Sequence, residues 1–194
     1  MVLIFNPMKF METSLAGCYE ITPQVFRDNR GTFVKTFHED QFGCMGLRTD
    51  WREEYYSVSN RDVIRGMHFQ TPPKQHAKMV YCLHGAVQDV MLDLRTGSPT
   101  FGVCLAIELS ADKGNIIYIP EGLAHGFCTL TDQAILQYKV TSTYSAEHDS
   151  GILWSSIPVE WKCATPILSV RDSVFVTLDD FQSPFKFSNR QDSK

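Results

Sequence analysis

The stretch that decides the fold is MVYCLHGAVQDVMLDLR, residues 79–95. It is rich in β-branched and aromatic residues, and Gly85 interrupts it where a tight turn would separate two strands. Apolar residues are interleaved with polar or amphipathic ones, namely Val80, Cys82, Val87, Val90 and Leu92 with Tyr81, Gln88 and Asp93. The pattern predicts a pair of strands that leads into a core, with Lys78 at its entrance.

Similar strand patterns recur on both sides of this pair. They lie at 32–37, 101–110, 115–120, 126–131 and 134–144 and are separated by turn signals such as RTGSPT and ADKGN. Many short strands with tight turns predict an all-β sandwich or jelly roll. Helix is scarce, and we expect a few short helices at most, at 38–45 and at 177–182.

Length and composition fit one soluble domain. The chain has 194 residues, of which 43% are hydrophobic and 21% charged, and its net charge is −4. A core can be built, and the charge gives no general attraction to nucleic acid or to anionic membranes. We expect a single domain over residues 1–187, followed by a polar tail over 188–194, with no nucleic-acid or membrane partner.

The cysteines and the N-terminus indicate the compartment. Six cysteines are scattered without a C-x-x-C pair, and Pro7 and Lys9 interrupt the apolar start that a secretion signal would need. These features favour a cytoplasmic protein without a structural disulfide.

Two polar motifs border the predicted strands. Residues 65–78, RGMHFQTPPKQHAK, gather charge and imidazole just before the strand pair, where a solvated loop is the ordinary interpretation. Residues 114–127, GNIIYIPEGLAHGF, have the spacing G-x5-P-x-G-x-x-H, which indicates a turn, a strand and a histidine, His125, returned to the interior. If both motifs adjoin one barrel mouth, they mark a small-molecule site.

The second motif resembles a signature of the cupins, which are jelly rolls whose histidines often bind a metal. A metal site would need an H-x-H signature and a carboxylate to supply three or four ligands, whereas here His68, His76 and His84 stand singly. We therefore expect no metal.

A closer resemblance covers residues 25–172. In order, it is carried by FRDNRGTF, RGMHFQ, Lys78 ten residues after His68, DVMLDLRTGSPTFG, IPEGLAHGF, QYK and ILSVRD. These strings resemble the dTDP-4-dehydrorhamnose 3,5-epimerase family. The resemblance implies a metal-free cupin without a cofactor that acts on a nucleotide-diphospho-4-keto-6-deoxy sugar as a homodimer, with exchanged edge strands.

The resemblance also implies catalytic roles. A ketone at carbon 4 acidifies the hydrogens on carbons 3 and 5, so inversion needs a base on one face, an enolate stabiliser and an acid on the other face. His68 matches the base, Asp172 its orienting carboxylate, Lys78 the cation near the keto oxygen, and Tyr138 the acid. Taken singly, Tyr138 would be a strand residue of the core and Asp172 a turn cap.

Substrate-binding positions follow from the same match. Arg30 and Arg65 match diphosphate ligands. Gln70, His125 and Arg171 match further binding positions, and at the position of Arg171 a lysine is more usual. Asp149 stands where a glutamate is usual. For any arginine, simple surface solvation is the alternative.

The nucleobase end departs from the thymidine pattern. Typical members read R-G-F-F-x-E, whereas here Phe33 is followed by Val34 and Lys35, and Glu53, Glu54 and Tyr55 replace a Q-D-N triplet. Lys35 is a donor where an acceptor is usual, which suits cytosine, while Glu53 or Glu54 could accept from guanine. If Lys35 points to solvent, thymine could stack on Phe33 or Tyr55 instead.

The sequence thus predicts an isomerase of deoxysugar biosynthesis that inverts carbon 3, carbon 5 or both. Two classes remain as alternatives: a metal-dependent cupin enzyme, and a cupin that binds a sugar nucleotide without catalysis. A ketoisomerase of the same fold resembles the chain less.

Overall fold

The computed structural model describes residues 7–188 and is dominated by β-structure. The strands are β1 (Lys9–Glu12), β2 (Tyr19–Thr22), β3 (Val25–Asp28), β4 (Gly31–Val34), β5 (Glu53–Asn60), β6 (Ile64–Gln70), β7 (Lys78–His84), β8 (Ala86–Asp93), β9 (Cys104–Ser110), β10 (Ile116–Ile119), β11 (Leu123–Thr129), β12 (Gln133–Val140) and β13 (Asp149–Gly151). The helix α1 (Glu39–Cys44) and a 3₁₀ turn (Trp154–Ser156) complete the elements. All paired strands are antiparallel within these elements.

Two sheets face each other and form a jelly roll, as predicted. One has the order β1-β2-β10-β7-β12-β5, and the other has the order β13-β6-β11-β8-β9. Between them lies a core with side chains from both sheets, among them Val80, Met91, Ile117, Phe127 and Leu136. Burial of this apolar surface holds the sheets together.

Two further clusters cover the outer faces. On the six-stranded sheet, Phe42 of α1 and Leu47 pack with Met79 and Tyr81. On the five-stranded sheet, the C-terminal segment contributes Phe185. Strand β8 is therefore buried on both faces: Val87 and Met91 lie in the central core, whereas Val90 and Leu92 face the outer cluster.

The tight turn at Gly85 joins β7 to β8, as the sequence predicts. Its φ is +72°, and a Cβ there would lie 2.2 Å from the Gln133 carbonyl oxygen. Because that atom belongs to the backbone and cannot move aside, only glycine fits. The turn carries the chain from the six-stranded sheet to the five-stranded sheet, so β7 and β8 follow each other in sequence but pair with other strands.

The structure corrects several predicted elements. The strand expected at 32–37 ends at Val34, because Phe37 leaves it to pack against Phe42 and Trp51. Residues 177–182 form a turn rather than a helix, and Phe181 at the end of the turn packs against Phe69. The first half of 65–78 belongs to strand β6 instead of a loop.

A short hairpin of β3 and β4 forms a separate two-stranded sheet. It carries Arg30 in its turn and Phe33 in its second strand. Ser188 is described, but the rest of the predicted tail, 189–194, lies outside the described residues.

Candidate active site

A cavity of about 430 Å³ opens between the two sheets. Strands β5, β7 and β12 supply one wall, while β6, β11 and β13 supply the other. Ten predicted site residues line it: Glu53, Tyr55, Arg65, His68, Gln70, Lys78, His125, Tyr138, Asp149 and Arg171. The fold therefore brings together positions that lie far apart in the sequence.

His68 and Asp172 form a hydrogen-bonded pair on the five-stranded wall. His68 Nε2 lies 2.8 Å from Asp172 Oδ1, and the backbone N–H of Gly66 donates to Asp172 Oδ2 over 3.2 Å. A side chain at Gly66 would collide with the Gly126 Cα at 2.5 Å, so the close approach of β6 and β11 requires glycine there. The pair depends on this local geometry.

Burial and hydrogen bonding set the protonation of the pair. Burial by itself would raise the pKa of Asp172, but the hydrogen bond from His68 and that from Gly66 lower it to about 2. Burial lowers the pKa of His68 despite its acidic partner. The pair therefore consists of a carboxylate and a neutral imidazole near neutral pH, and Nδ1 is the ring nitrogen left to accept a proton when Nε2–H donates to Asp172.

Lys78 brings a buried amine to the same cavity. Its side chain lies at the start of β7, and Nζ donates to the His68 carbonyl oxygen over 3.0 Å. Burial lowers the pKa of the amine to about 8. At neutral pH most of the amine is therefore protonated, and a cation inside the cavity is well suited to stabilise a developing oxyanion.

Tyr138 occupies the opposite wall, on β12. Its hydroxyl lies 3.0 Å from Ser57 Oγ, and its ring stacks on Tyr55 with 4.9 Å between the centroids. Burial raises the pKa of the phenol above its usual value. The hydroxyl thus keeps its proton at neutral pH, and Ser57 fixes its direction.

His125 forms a second pair with an aspartate. Its Nε2 lies 2.7 Å from Asp89 Oδ1, and both side chains are buried. Sequence reasoning did not single out Asp89. The sequence does place this carboxylate at an alternating position of an apolar strand. Burial of an unpaired carboxylate costs much free energy, so such a position indicates a buried partner.

Polar side chains at the rim are anchored by the protein itself. Arg65 donates from Nε to Ser59 Oγ over 3.0 Å, and Glu53 accepts from the backbone N–H of Tyr144 over 2.8 Å. The amide of Gln70 accepts from Ser145 N and donates to Thr143 O, so it also holds a neighbouring loop in place.

Three predicted binding residues lie away from the cavity. Arg30 pairs with Asp28 in the hairpin turn, Phe33 is 55% exposed on β4, and Lys35 follows that strand. None of the three contributes to the cavity wall of this chain.

His76 lines the cavity, although its sequence position on the Pro-Pro loop suggested an ordinary loop residue. Its Nδ1 lies 3.2 Å from Gln70 Nε2, whose amide orientation is set by the Ser145 backbone N–H. Because the amide nitrogen donates, Nδ1 accepts and the ring proton sits on Nε2. Burial, with smaller contributions from Lys78 and His125, lowers the pKa of His76 to about 3.

His76 is expected to make the fold sensitive to acid. Between about pH 6.5 and 3, His76 is protonated in the unfolded chain but stays neutral in the folded chain. The free energy of unfolding therefore falls as the pH drops from about 6.5 toward 3. His76→Asn should remove roughly 1 kcal/mol per pH unit from the slope of unfolding free energy between about pH 6 and 5. Urea titrations measure this slope, and the exposed His84→Asn variant should keep that of the unmodified protein.

Other kinds of site are not found in the described part of the chain. Among residues 7–188, no group of three or more His, Cys, Asp or Glu side chains is arranged to hold a metal ion. Within the same range no helix is long and apolar enough to cross a membrane. All six cysteines, which fall in this range, are free thiols.

The structure resembles solved epimerases. A 4-keto-6-deoxy sugar epimerase from the novobiocin gene cluster of Streptomyces spheroides superimposes with a TM-score of 0.86 and 35% identity, covering 93% of each chain. The jelly roll and the cavity with its His–Asp pair, amine and phenol thus define a class, the sugar epimerases, which are isomerases.

The sequence comparisons identify the family. The family model described as dTDP-4-dehydrorhamnose 3,5-epimerase matches residues 12–180. A 3,5-epimerase of that name from Shigella flexneri is 39% identical over 90% of this chain and 99% of its own length. A dTDP-4-dehydrorhamnose 3-epimerase from Streptomyces niveus is 38% identical over 85% of this chain and 81% of its own. The chain belongs to the dTDP-4-dehydrorhamnose 3,5-epimerase family.

Proposed function

We propose that the chain inverts carbon 3, carbon 5 or both of a thymidine-diphospho-4-keto-6-deoxyhexose in the cytoplasm. The observation that carries the proposal is the cavity with the His68–Asp172 pair on one wall and the Tyr138 hydroxyl on the other. A base and an acid on opposite sides of a substrate are what inversion of a carbon centre requires.

The proposed reaction has two proton transfers. His68 Nδ1 takes the proton from the carbon beside the ketone, and the electron pair of the C–H bond moves onto the keto oxygen as an enolate. The Lys78 ammonium stabilises that oxygen. Tyr138 then donates its proton to the opposite face of the same carbon, and solvent restores both side chains. The atoms balance without a redox cofactor.

The proposal is tested by isotope exchange. The protein is incubated in heavy water with the thymidine-linked 4-keto-6-deoxyglucose, and deuterium at carbons 3 and 5 is measured by NMR. Incorporation with inversion is the expected result, and incorporation at one carbon would identify a mono-epimerase. Absence of exchange at both carbons with thymidine, cytidine and guanosine substrates would contradict the proposed function.

The choice of nucleotide is tested in the same assay. Thymidine is supported by the names of the relatives, which include the 3,5-epimerase of Shigella flexneri. The Lys35 hypothesis predicts instead that the cytidine substrate is preferred. Comparison of kcat/KM for the two nucleotides, repeated with Lys35→Glu, decides between them: if Lys35 contacts the base, the variant should shift preference toward thymidine.

We further propose a homodimer in which the β3–β4 hairpin reaches the cavity of the partner subunit. This is supported by two observations. Arg30 and Phe33 do not line the cavity of their own chain, and the outer face of the six-stranded sheet exposes apolar side chains, Val58 and Leu83. Such a face is a suitable surface for a second copy.

Hybrid dimers should reveal this exchange. His68→Asn and Arg30→Ala homodimers are each expected to be nearly inactive, but mixed subunits should regain activity, because one cavity per hybrid then combines an intact His68 with an intact hairpin. Exchange rates before and after unfolding and refolding the mixture measure this. A mixture that stays inactive while light scattering shows dimers would contradict the hairpin exchange.

Lys78 sets an expected pH limit. Since burial lowers the pKa of its amine to about 8, the charge that stabilises the enolate is present below that pH and is lost above it. We expect kcat/KM to fall above about pH 8. In Lys78→Arg, whose guanidinium stays protonated, the residual activity should lack this alkaline limb. The pH profile of deuterium exchange measures both.

A further inference from the structure

Arg171 and Asp172 meet at the same nitrogen of His68. Asp172 Oδ1 and Arg171 Nη2 each lie 2.8 Å from His68 Nε2. Arg171 also contacts Asp149 Oδ2 through Nη1 at 2.5 Å and Asp172 Oδ1 through Nε at 3.3 Å. The guanidinium thus spans the edge strand β13 and the catalytic pair.

These two contacts to Nε2 make opposite demands on the imidazole. The Asp172 carboxylate can only accept, so its hydrogen bond needs a proton on Nε2. The guanidinium can only donate, so its hydrogen bond needs a lone pair on the same atom. A neutral imidazole satisfies one of them at a time, and only a proton on Nε2 leaves Nδ1 free to act as the base.

The two partners differ in their freedom to move. Asp172 is 3% exposed in its side chain and is held from the backbone by Gly66. The Arg171 side chain is 48% exposed at the cavity rim and ends a long flexible stem. If one contact yields, it is that of Arg171.

We propose that Arg171 is a positioning residue that the substrate moves. This inference rests on the proposed function, in which His68 is the base of a nucleotide-sugar site. Without substrate its guanidinium bridges Asp149 and His68 Nε2. The substrate diphosphate, an anion that suits the planar fork of a guanidinium, draws Nη2 away from the imidazole. His68 then donates from Nε2 to Asp172 alone, and Nδ1 holds the lone pair that removes the carbon-bound proton.

The charges around His68 give the sign of a measurable effect. Asp172 raises the pKa of the imidazole, whereas Lys78 and Arg171 lower it, and Asp149 lies beyond Arg171. Departure of Arg171 should therefore raise the pKa of His68. The diphosphate would raise it as well, so a variant without the arginine has to separate the two contributions.

The test is a cycle of four NMR titrations. Ring nitrogens of labelled histidine are followed in the unmodified protein and in Arg171→Gln, each with and without thymidine diphosphate, and His68→Asn assigns the signal. We expect the nucleotide to raise the pKa of His68 by roughly one unit in the unmodified protein. Arg171→Gln should already be raised by a similar amount when free, and the nucleotide should add less than half as much.

Controls keep the outcomes separate. Arg61→Gln, at an exposed arginine outside the cavity, should show the full nucleotide shift. An equal nucleotide shift in Arg171→Gln and the unmodified protein would overturn the proposal, and so would a nucleotide that leaves His68 unchanged. Heavy-water exchange by the unmodified protein, measured on the same sample, reports separately whether the proposed function itself holds.

Discussion

His68→Asn is expected to lower the rate of carbon-bound proton exchange by roughly 10³-fold, within the usual range for removal of a general base. Asparagine keeps a polar side chain of similar reach but cannot accept a proton at neutral pH. Because His68 lies beside the cavity and not in the central core, the variant should fold. The loss should appear in kcat, since the missing interaction acts in the transition state.

Asp172→Asn separates orientation from proton transfer. The amide can still contact His68, but it no longer stabilises the imidazolium or dictates that the proton sits on Nε2. We expect a loss smaller than that of His68→Asn and a lower pKa for the imidazole, because Asp172 is the group that raises it. The exchange rate against pH should then show its acid limb shifted to lower pH.

The matched control for His68 is His84→Asn, at an exposed histidine at the far end of β7. Its exchange rate should equal that of the unmodified protein. If His68→Asn kept more than a tenth of the rate, His68 would not be the base. His125, another imidazole of the cavity, would then be the next candidate because it has its own carboxylate partner, Asp89.

The residues of the core made the fold predictable. Alternating apolar positions around Gly85 identified β7 and β8, because burial of one or both strand faces leaves a strong sequence pattern. Strands β5 and β6 were missed as strands. Their cavity-facing positions carry charged and polar side chains such as Arg65 and His68, so the demands of the site override the hydrophobic pattern there.

The site was predictable only where a motif carried it. The His68–Asp172 pair was expected from the family resemblance, since nothing local in either segment indicates that they meet. Ser57, His76 and Asp89 were not assigned, because each acquires its environment from a partner on another strand or loop. Conversely, Arg30 and Lys35 fall on binding motifs, yet neither lines the cavity of its own chain.

Tyr138→Phe is expected to separate exchange from inversion. His68 can still remove and return the proton on its own face, so deuterium should enter the substrate at an appreciable rate. The opposite face loses its acid, however, and inversion should fall by roughly 10²-fold or more. The measurement compares deuterium in recovered substrate with the amount of epimerised product over the same time course.

The contacts of Tyr138 explain why exchange should persist while inversion falls. Its ring is fixed by the stack on Tyr55, so phenylalanine should keep the shape of the wall and remove only the hydroxyl that Ser57 orients. Loss of exchange and inversion in parallel would mean that Tyr138 assists proton removal rather than delivery. Tyr56→Phe is the control: it removes a hydroxyl from the exposed neighbour on the other face of β5 and should change neither rate. Ser57→Ala should reduce inversion more than exchange, because it removes the group that orients the Tyr138 hydroxyl and leaves His68 unchanged.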